Sequence, residues 1–469
     1  MPRTLCKYII VFSLLVISAF SVQAQTLKQR PKIGLVLGGG GAKGIAHVGV
    51  IKVLEENHIP VDVIAGTSMG AIIGSLYASG YSADEIENIA RELDWNDVFN
   101  DKTARSRATF RRKSDDFGFL TSYKVTFRDG KILLPEGIIQ GQNLFLELSK
   151  LLSGTRGIGS FDDLPIPFRL VATDLETGDA VVMKDGDLAS AVFGSMAIPG
   201  FIPPVEREGH RLLDGGLVNN LPIDLARELG ADIVIVVNVG SDPKPADEIG
   251  NFIDVLRQTQ ILLTQKNTTD QIKTMQDGDI LLEPELEGLG ISSFGQADKL
   301  IAQGETAARQ SLAALKPLAL GERAWVNHLI ARVSHPQLSP VIDKVEIENA
   351  SKLSDEIIRV GISLKPGYVF DAPQINNDID KLYGTGIFER ITYDVGQINN
   401  QHVLTVKAKA KDSSDGYFRF GIALDSNLES ESSFNLGVSY TKPQINAWGG
   451  EWRTHLNFGD KVILGSEFY

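Results

Sequence analysis

The run from Val61 to Tyr77 constrains this chain more than any other. An apolar stretch, Val61-Asp62-Val63-Ile64-Ala65, leads into Gly66-Thr67-Ser68-Met69-Gly70, and a helix-compatible stretch, Ala71-Ile72-Ile73-Gly74-Ser75-Leu76-Tyr77, follows. Strand, G-x-S-x-G and helix in that order predict a nucleophile elbow, a tight turn that projects a serine hydroxyl at the top of a sheet. Gly66 and Gly70 suit such a turn, which needs strained dihedrals and close backbone packing. An isolated G-x-S-x-G is common by chance, so the chemistry rests on what accompanies it.

Two other features accompany it. The first is the loop Gly38-Gly39-Gly40-Gly41-Ala42-Lys43-Gly44, directly after the expected first strand. Gly39, Gly41 and Gly44 also match a dinucleotide-binding G-x-G-x-x-G. That reading requires an acidic residue at the end of the next strand, where this chain has Ala65-Gly66-Thr67-Ser68, with Asp62 at the strand's other end. An oxyanion hole fits better, because glycine-rich backbone at a helix N-terminus presents N–H donors and the positive end of the helix dipole to a developing negative oxygen. The second feature is Asp214 in Leu212-Leu213-Asp214-Gly215-Gly216, a carboxylate at the end of an apolar run and a candidate general base. His210, four residues earlier, is an alternative base that the sequence permits. Lys43 reads either as a solvated helix N-terminal residue or as part of the site. No ligand cluster for a metal stands out, and no cofactor is expected.

The chain has 469 residues, too many for one ordinary domain. Its net charge of -13 argues against nucleic-acid binding. Arg3 and Lys7, the apolar stretch Tyr8 to Phe20 and the small residues around Val22-Gln23-Ala24 predict a signal peptide over residues 1–24. Cleavage after Ala24 would remove the only cysteine, Cys6, and with it any disulfide or thiol chemistry. The basic run Arg105, Arg107, Arg111, Arg112 and Lys113 is either a solvated face or a contact for anionic headgroups.

Three regions follow the signal. In residues 25–320, strands are expected at Lys32–Leu37, Val61–Ala65, Phe168–Asp174, Ala180–Met183, Arg211–Leu213, Asp232–Val239 and Asp279–Leu282. Helices are expected at Lys43–Asn57, Met69–Ser79, Ala83–Leu93, Pro222–Leu229, Phe252–Met275 and Ala297–Ala314. This alternation indicates an α/β sheet flanked by helices, with Ala104–Thr126 as an excursion from it. Residues 321–339 read as a connector. Residues 340–411 read as a small α+β module of order β-α-α-β-β. Over 412–469 the period changes to two: Phe418, Phe420, Ile422 and Leu424 share one face, as do Phe434, Leu436, Val438 and Tyr440. Such strands suit the start of a transmembrane β-barrel. About four fit before Tyr469, too few to close one, so a truncated barrel or pooled strands from several chains is expected.

The motifs Gly39-Gly40-Gly41-Ala42-Lys43-Gly44, Gly66-Thr67-Ser68-Met69-Gly70 and Asp214-Gly215-Gly216, in this order, resemble the patatin-like phospholipases. Ser195-Met196-Ala197-Ile198-Pro199-Gly200 and Asn219-Asn220-Leu221-Pro222 are similar to that family too. The later regions resemble a POTRA module and a D15-type barrel, the arrangement of type Vd secretion proteins. The resemblance implies a patatin-like fold and a Ser68–Asp214 dyad, with Gly39, Gly40 and Gly41 as the oxyanion hole and Gly44, Gly66, Gly70, Gly215 and Gly216 as its support. It implies a phospholipase A or lysophospholipase acting on phospholipid or lysophospholipid. Its expected partners are the outer membrane and its barrel-assembly machinery, and a homo-oligomer is compatible with it. The implied location is exported, in the periplasm and outer membrane or at the cell surface. The competing reading is an outer-membrane transport or assembly protein that carries the patatin-like domain as a passenger.

Overall fold

A computed structural model of the chain describes residues 30–101, 105–106, 108–110, 112–113, 125–128, 131–133, 136–333, 339–411, 416–427, 431–459 and 462–469. The expected signal segment, and Arg107 and Arg111 of the basic run, lie outside the described residues. The first region carries strands β1 Ile33–Leu37, β2 Val63–Thr67, β3 Val125–Arg128, β4 Lys131–Leu133, β5 Phe168–Asp174, β6 Ala180–Met183, β7 Val205–Arg207, β8 His210–Asp214, β9 Ile233–Val237 and β10 Ile280–Leu282. The middle module carries β11 Lys344–Asn349, β12 Phe388–Ile398 and β13 Gln401–Ala410. The last region carries β14 Tyr417–Asn427, β15 Glu431–Lys442, β16 Trp452–Gly459 and β17 Ile463–Phe468.

The main sheet has the order β10-β9-β1-β2-β5-β8-β7, with β6 also pairing with β5. Strands β10 to β5 run parallel, and β6 and β8 pair antiparallel with β5. Both faces of the centre are covered, as expected of parallel strands written as unbroken apolar runs. Leu35, Leu37, Ile64, Leu170 and Ile235 join one core with helices Ala46–Glu56 and Met69–Ala78. Val36, Val63, Ala65, Val171, Val234 and Val236, the alternate positions, join the other with helix Ile223–Glu228.

Several elements escape the sequence pattern. β7 and helices Gln142–Leu151 and Leu188–Ser195 were not expected. Helix Leu188–Ser195 is short and apolar nearly all round, so its period gives no face to read. The connector expected at 321–339 contains helix Glu322–Val333. Its buried Arg332 donates to Glu55 at 2.8 Å and to the Tyr81 carbonyl at 2.9 Å, and its guanidinium lies 4.1 Å from the centre of the Tyr77 ring. That charge-assisted pairing holds the helix to the first region.

In the middle module β13 lies between β11, parallel to it, and β12, antiparallel. The module is fused to the main domain by buried contacts. The Gln142 side chain donates to the Ile391 carbonyl and accepts from the Ile391 N–H, each at 2.8 Å. Phe145 packs edge-on against Tyr393. Arg156 pairs with Asp187 and sits over the Tyr393 ring at 4.8 Å.

The last region is an antiparallel meander, β14 to β17. Hairpin β3–β4, at the end of the expected excursion, extends it through β14, giving the order β17-β16-β15-β14-β3-β4. Phe420, Leu436, Trp452, Leu456 and Phe458 are exposed, while Arg419, Ser439, Thr441 and Arg453 are buried on the opposite face. This inverts the apolar-in arrangement of a soluble sheet. Among the described residues no helix is long and apolar enough to cross a membrane.

Candidate active site

Sheet register brings the elbow serine and Asp214 together. Thr67, the last residue of β2, is level with Val171 on β5, and the next β5 residue, Ala172, is level with Asp214 on β8. Ser68 and Asp214 therefore flank one position of β5 from its two sides. Ser68 sits at φ 55° and ψ -122°, a positive φ in a residue with a Cβ, the kind of strained backbone that a nucleophile elbow requires. A Cβ at Gly70 would stand 2.1 Å from the Leu37 carbonyl oxygen, so the helix can approach β1 this closely only with glycine there. Gly66 lies in β2 against Gly70.

The Ser68 hydroxyl donates to Asp214 Oδ2 at 2.7 Å. Both residues are buried, at 4% and 9% exposure, so this contact is out of bulk water. Asp214 Oδ1 accepts the Gly216 N–H at 2.7 Å, closing a turn in which Gly215 and Gly216 are buried. Burial pushes the Asp214 carboxyl up to about 6, against the pull of the hydrogen bonds from Ser68 and Gly216.

The glycine loop lies over the serine. A Cβ at Gly39 would meet Asn220 Oδ1 at 2.7 Å and Ser68 Cβ at 3.0 Å. Gly40 caps the 3-10 turn Gly41–Ile45, Gly41 has φ +58°, and Gly44 packs on Met69. The N–H groups of Gly38, Gly39 and Ala42 bond to the carbonyls of Val237, Asn220 and Ile291. Those of Gly40 and Gly41 have no acceptor among the described residues.

The histidines take other places. His47 Nε2 donates to the Gly38 carbonyl at 2.7 Å, and complete burial lowers its pKa to about 4, so the ring is neutral and anchors the loop. His210 is at the far end of β8, roughly 13 Å along the strand from Asp214, and its Nδ1 meets Asp174 Oδ2 at 2.5 Å. Lys43 donates to the Gly240 carbonyl at 3.3 Å. In the basic run Arg112 pairs with Glu451.

Other polar groups around the site were not anticipated as its members. The Ser195 hydroxyl accepts the Ser68 N–H at 3.0 Å and donates to the Val171 carbonyl at 2.5 Å, bracing the elbow. Thr173 Oγ1 donates to the Asp214 carbonyl at 2.8 Å. From helix Phe252–Ile272, Thr264 Oγ1 and Asn267 Nδ2 both donate to the Gly216 carbonyl, at 3.1 and 2.9 Å. Ser195 opens a stretch already similar to the family; Thr264 and Asn267 carry no such signal. Among the described residues no three His, Cys, Asp or Glu side chains group as metal ligands.

Comparison with known proteins bears on the two domains that hold these elements. The family model described as patatin-like phospholipase matches residues 35–227, which hold the glycine loop, Ser68 and Asp214, and the POTRA model, described as surface antigen variable number repeat, matches residues 340–411. The chain carries a patatin-like phospholipase domain and a POTRA module. The patatin-like part is 35% identical over 244 residues to mouse patatin-like phospholipase domain-containing protein 6, covering 51% of this chain and 16% of that protein. It is 32% identical over 306 residues to lysophospholipase nte1 of Aspergillus fumigatus, covering 61% of this chain and 18% of that one. The chain thus spans less than a fifth of the length of these curated relatives. Among solved structures, VipD from Legionella pneumophila aligns at a TM-score of 0.35 and 15% identity, covering 61% of this chain and 67% of that one, a likeness too distant to decide anything.

Proposed function

We propose that the chain is a serine lipid acyl hydrolase of the phospholipase A or lysophospholipase type, working through a Ser68–Asp214 dyad. The observation that carries this reading is the buried 2.7 Å bond from the Ser68 hydroxyl to Asp214, made by a serine on a strained elbow. Asp214 takes the hydroxyl proton as Ser68 Oγ bonds to the ester carbonyl carbon. The negative oxygen is held by the N–H groups of Gly40 and Gly41, while that of Gly39 is engaged by the Asn220 carbonyl. The ester C–O bond breaks, Asp214 returns the proton to the leaving alcohol, and an acyl-serine remains. Asp214 then takes a proton from water, whose oxygen attacks the acyl carbon. The fatty acid leaves and Ser68 recovers its proton. A carboxylate whose affinity for protons is raised by burial is a better base for this than an exposed one.

Helix Phe252–Ile272 supports a lipid substrate. It turns Gln260, Thr264 and Asn267 toward the site, and Phe252, Leu256 and Leu263, all exposed, flank that same face at helical spacing. An exposed apolar row beside the site suits contact with acyl chains. Outer-membrane attachment belongs to the same proposal. It is supported by the POTRA match and by the apolar-out, polar-in meander at the end of the chain.

The test is fatty-acid release from lysophosphatidylcholine and from diacyl phospholipids by the full chain, beside Ser68→Ala. Release that depends on Ser68 is expected. Equal release by both proteins would end the dyad reading.

A further inference from the structure

A cavity of about 1000 Å³ opens where three parts of the molecule meet. Its walls are helix Leu188–Ser195 and β7 of the patatin-like domain, β12 and β13 of the POTRA module, and the Lys442–Ile445 turn after β15. It is well separated from Ser68. Helix Leu188–Ser195 lies between the two, with the Ser195 hydroxyl on the Ser68 N–H and Phe193 in the cavity wall. Two residues apart on a helix point to nearly opposite sides, so one short helix touches both sites.

The lining is basic in an acidic protein. Lys352, Arg390, Lys407, Lys409, Lys411 and Lys442 line the cavity, with Glu206 and Glu348 as its acidic members. The chain's net charge is -13, so this concentration of cations is a local reversal of the molecule's field. Two of the lysines are answered from outside the wall, Lys407 by Asp394 at 2.5 Å and Lys409 by Glu389 at 3.7 Å. Arg390 also has acidic side chains acting on its charge, Glu389 and Asp101 and, from the wall, Glu206. Its guanidinium lies 5.2 Å from the centre of the Phe193 ring, and its Nε is buried with no hydrogen-bond partner among the described residues. That N–H is closed off from the cavity, but Arg390 is itself part of the lining, so an anion entering there would meet its guanidinium together with the lysines. Arginine presents a planar fork to a tetrahedral oxyanion, and flexible lysines around it add charge without fixed geometry.

We infer that this cavity is a binding site for a phosphate group, with Arg390 as its fixed donor and Lys352, Lys409 and Lys442 closing round it. The phosphate is either a free anion or the headgroup of a lipid at the bilayer surface, which the proposed membrane strands β14–β17 would place beside the Lys442–Ile445 turn. In neither case does the site take part in ester cleavage.

The experiment uses the full chain in neutral detergent with Ser68→Ala, so that no lipid is consumed and the outcome is independent of the dyad. Inorganic phosphate and pyrophosphate are titrated by calorimetry. Flotation then compares phosphatidylcholine vesicles with vesicles that also contain phosphatidylglycerol. Loss of hydrogen bonds to a charged group predicts that Arg390→Gln weakens binding roughly tenfold to a hundredfold. Lys442→Gln, at the exposed rim, weakens it less and provides a second reading should the buried substitution disturb folding. Binding of the soluble anions identifies a free phosphate as sufficient; binding only to the phosphatidylglycerol vesicles identifies the headgroup. Three outcomes would overturn the site: no binding of either kind, Arg390→Gln and Lys442→Gln both binding like the parent, or an equal loss on Lys299→Gln, an exposed lysine on a different helix.

Discussion

Two aspartates on neighbouring strands, Asp174 on β5 and Asp214 on β8, hold opposite proton affinities. Asp174 ends β5 beside His210, whose Nδ1 is 2.5 Å from Oδ2, and Oδ1 accepts the N–H groups of Glu176 and Thr177 at 2.7 and 3.4 Å. The bond to His210, then those two N–H groups, hold its carboxyl below the usual range. Asp214 has one hydroxyl and one N–H for partners and is enclosed by apolar sheet and helix, so burial pushes it up to about 6. Residue type and sheet are the same at both places. A partner histidine and a ring of N–H donors make one aspartate a fixed turn element. Their absence around the other makes it a proton acceptor poised near neutrality.

The comparison is broken most directly by removing the working end. Ser68→Ala and Asp214→Asn should each lower fatty-acid release roughly 10⁴-fold, and the double variant little further, because the two residues act as a unit. Asp174→Asn should leave most of the activity. If Asp174→Asn were as damaging as Asp214→Asn, the distinction between the two ends would collapse.

The next effect is on the pH profile. With Asp214 near 6, the ionised base is the main form at neutral pH and is lost as pH falls through that value. Turnover should drop about tenfold per pH unit well below 6 and be flat above it. A profile still flat at pH 5 would mean that the base ionises in the ordinary carboxylate range and that burial does not tune it.

A smaller effect appears in stability, and its sign separates the two aspartates. A carboxyl whose folded pKa lies above its unfolded value binds more protons when folded. Stability is then lost as pH rises from the unfolded value to the folded one, and the penalty is complete above about 6. Asp214→Asn should therefore raise the thermal midpoint at pH 8, equivalent to about 1–3 kcal/mol, and give no gain at pH 4. Asp174 is lowered, so it contributes stability above its unfolded value that is lost as pH falls through its folded one. Asp174→Asn should destabilise at pH 8. Matching signs from the two substitutions would contradict the contrast.

The sequence made much of this legible, for identifiable reasons. The central strands are continuous apolar runs between glycine-rich turns, and Phe168–Asp174 and Ala180–Met183 are placed where that pattern puts them. Ser68, the glycine loop and Asp214 stand out because each joins a strand end to residues without a Cβ. Their meeting is not written locally: it depends on β5 inserting between β2 and β8, a register that no spacing records. Ser195 stands in a stretch similar to the family but its brace is not readable there, and Thr264 and Asn267 carry no signal, for a similar reason. Each is an ordinary polar residue in a helix, and each becomes a brace only when that helix packs on the elbow or on the Gly216 carbonyl. The β3–β4 hairpin was likewise hidden, because its pairing with β14 joins residues nearly three hundred apart in sequence.

The smallest expected effect is the most discriminating one. Four residues before Asp214 on the same strand, His210 is a histidine that sequence alone allows as the base. In the fold its ring is half-exposed and bonded to Asp174 at the opposite end of β8 from Ser68. A strand rises about 3.3 Å per residue, so no rotamer of His210 brings its ring within hydrogen-bond reach of the serine. His210→Ala should keep fatty-acid release within about twofold of the parent, with its loss confined to the Asp174 end as a small fall in the thermal midpoint. The readouts are turnover on lysophosphatidylcholine and the pH profile of the same variant. The acid limb should remain near 6, because Asp214 and not the imidazole sets it. If the activity fell as far as in Ser68→Ala, or if the acid limb disappeared, His210 would be the base and the site a triad assembled in another conformation of the β8 turn.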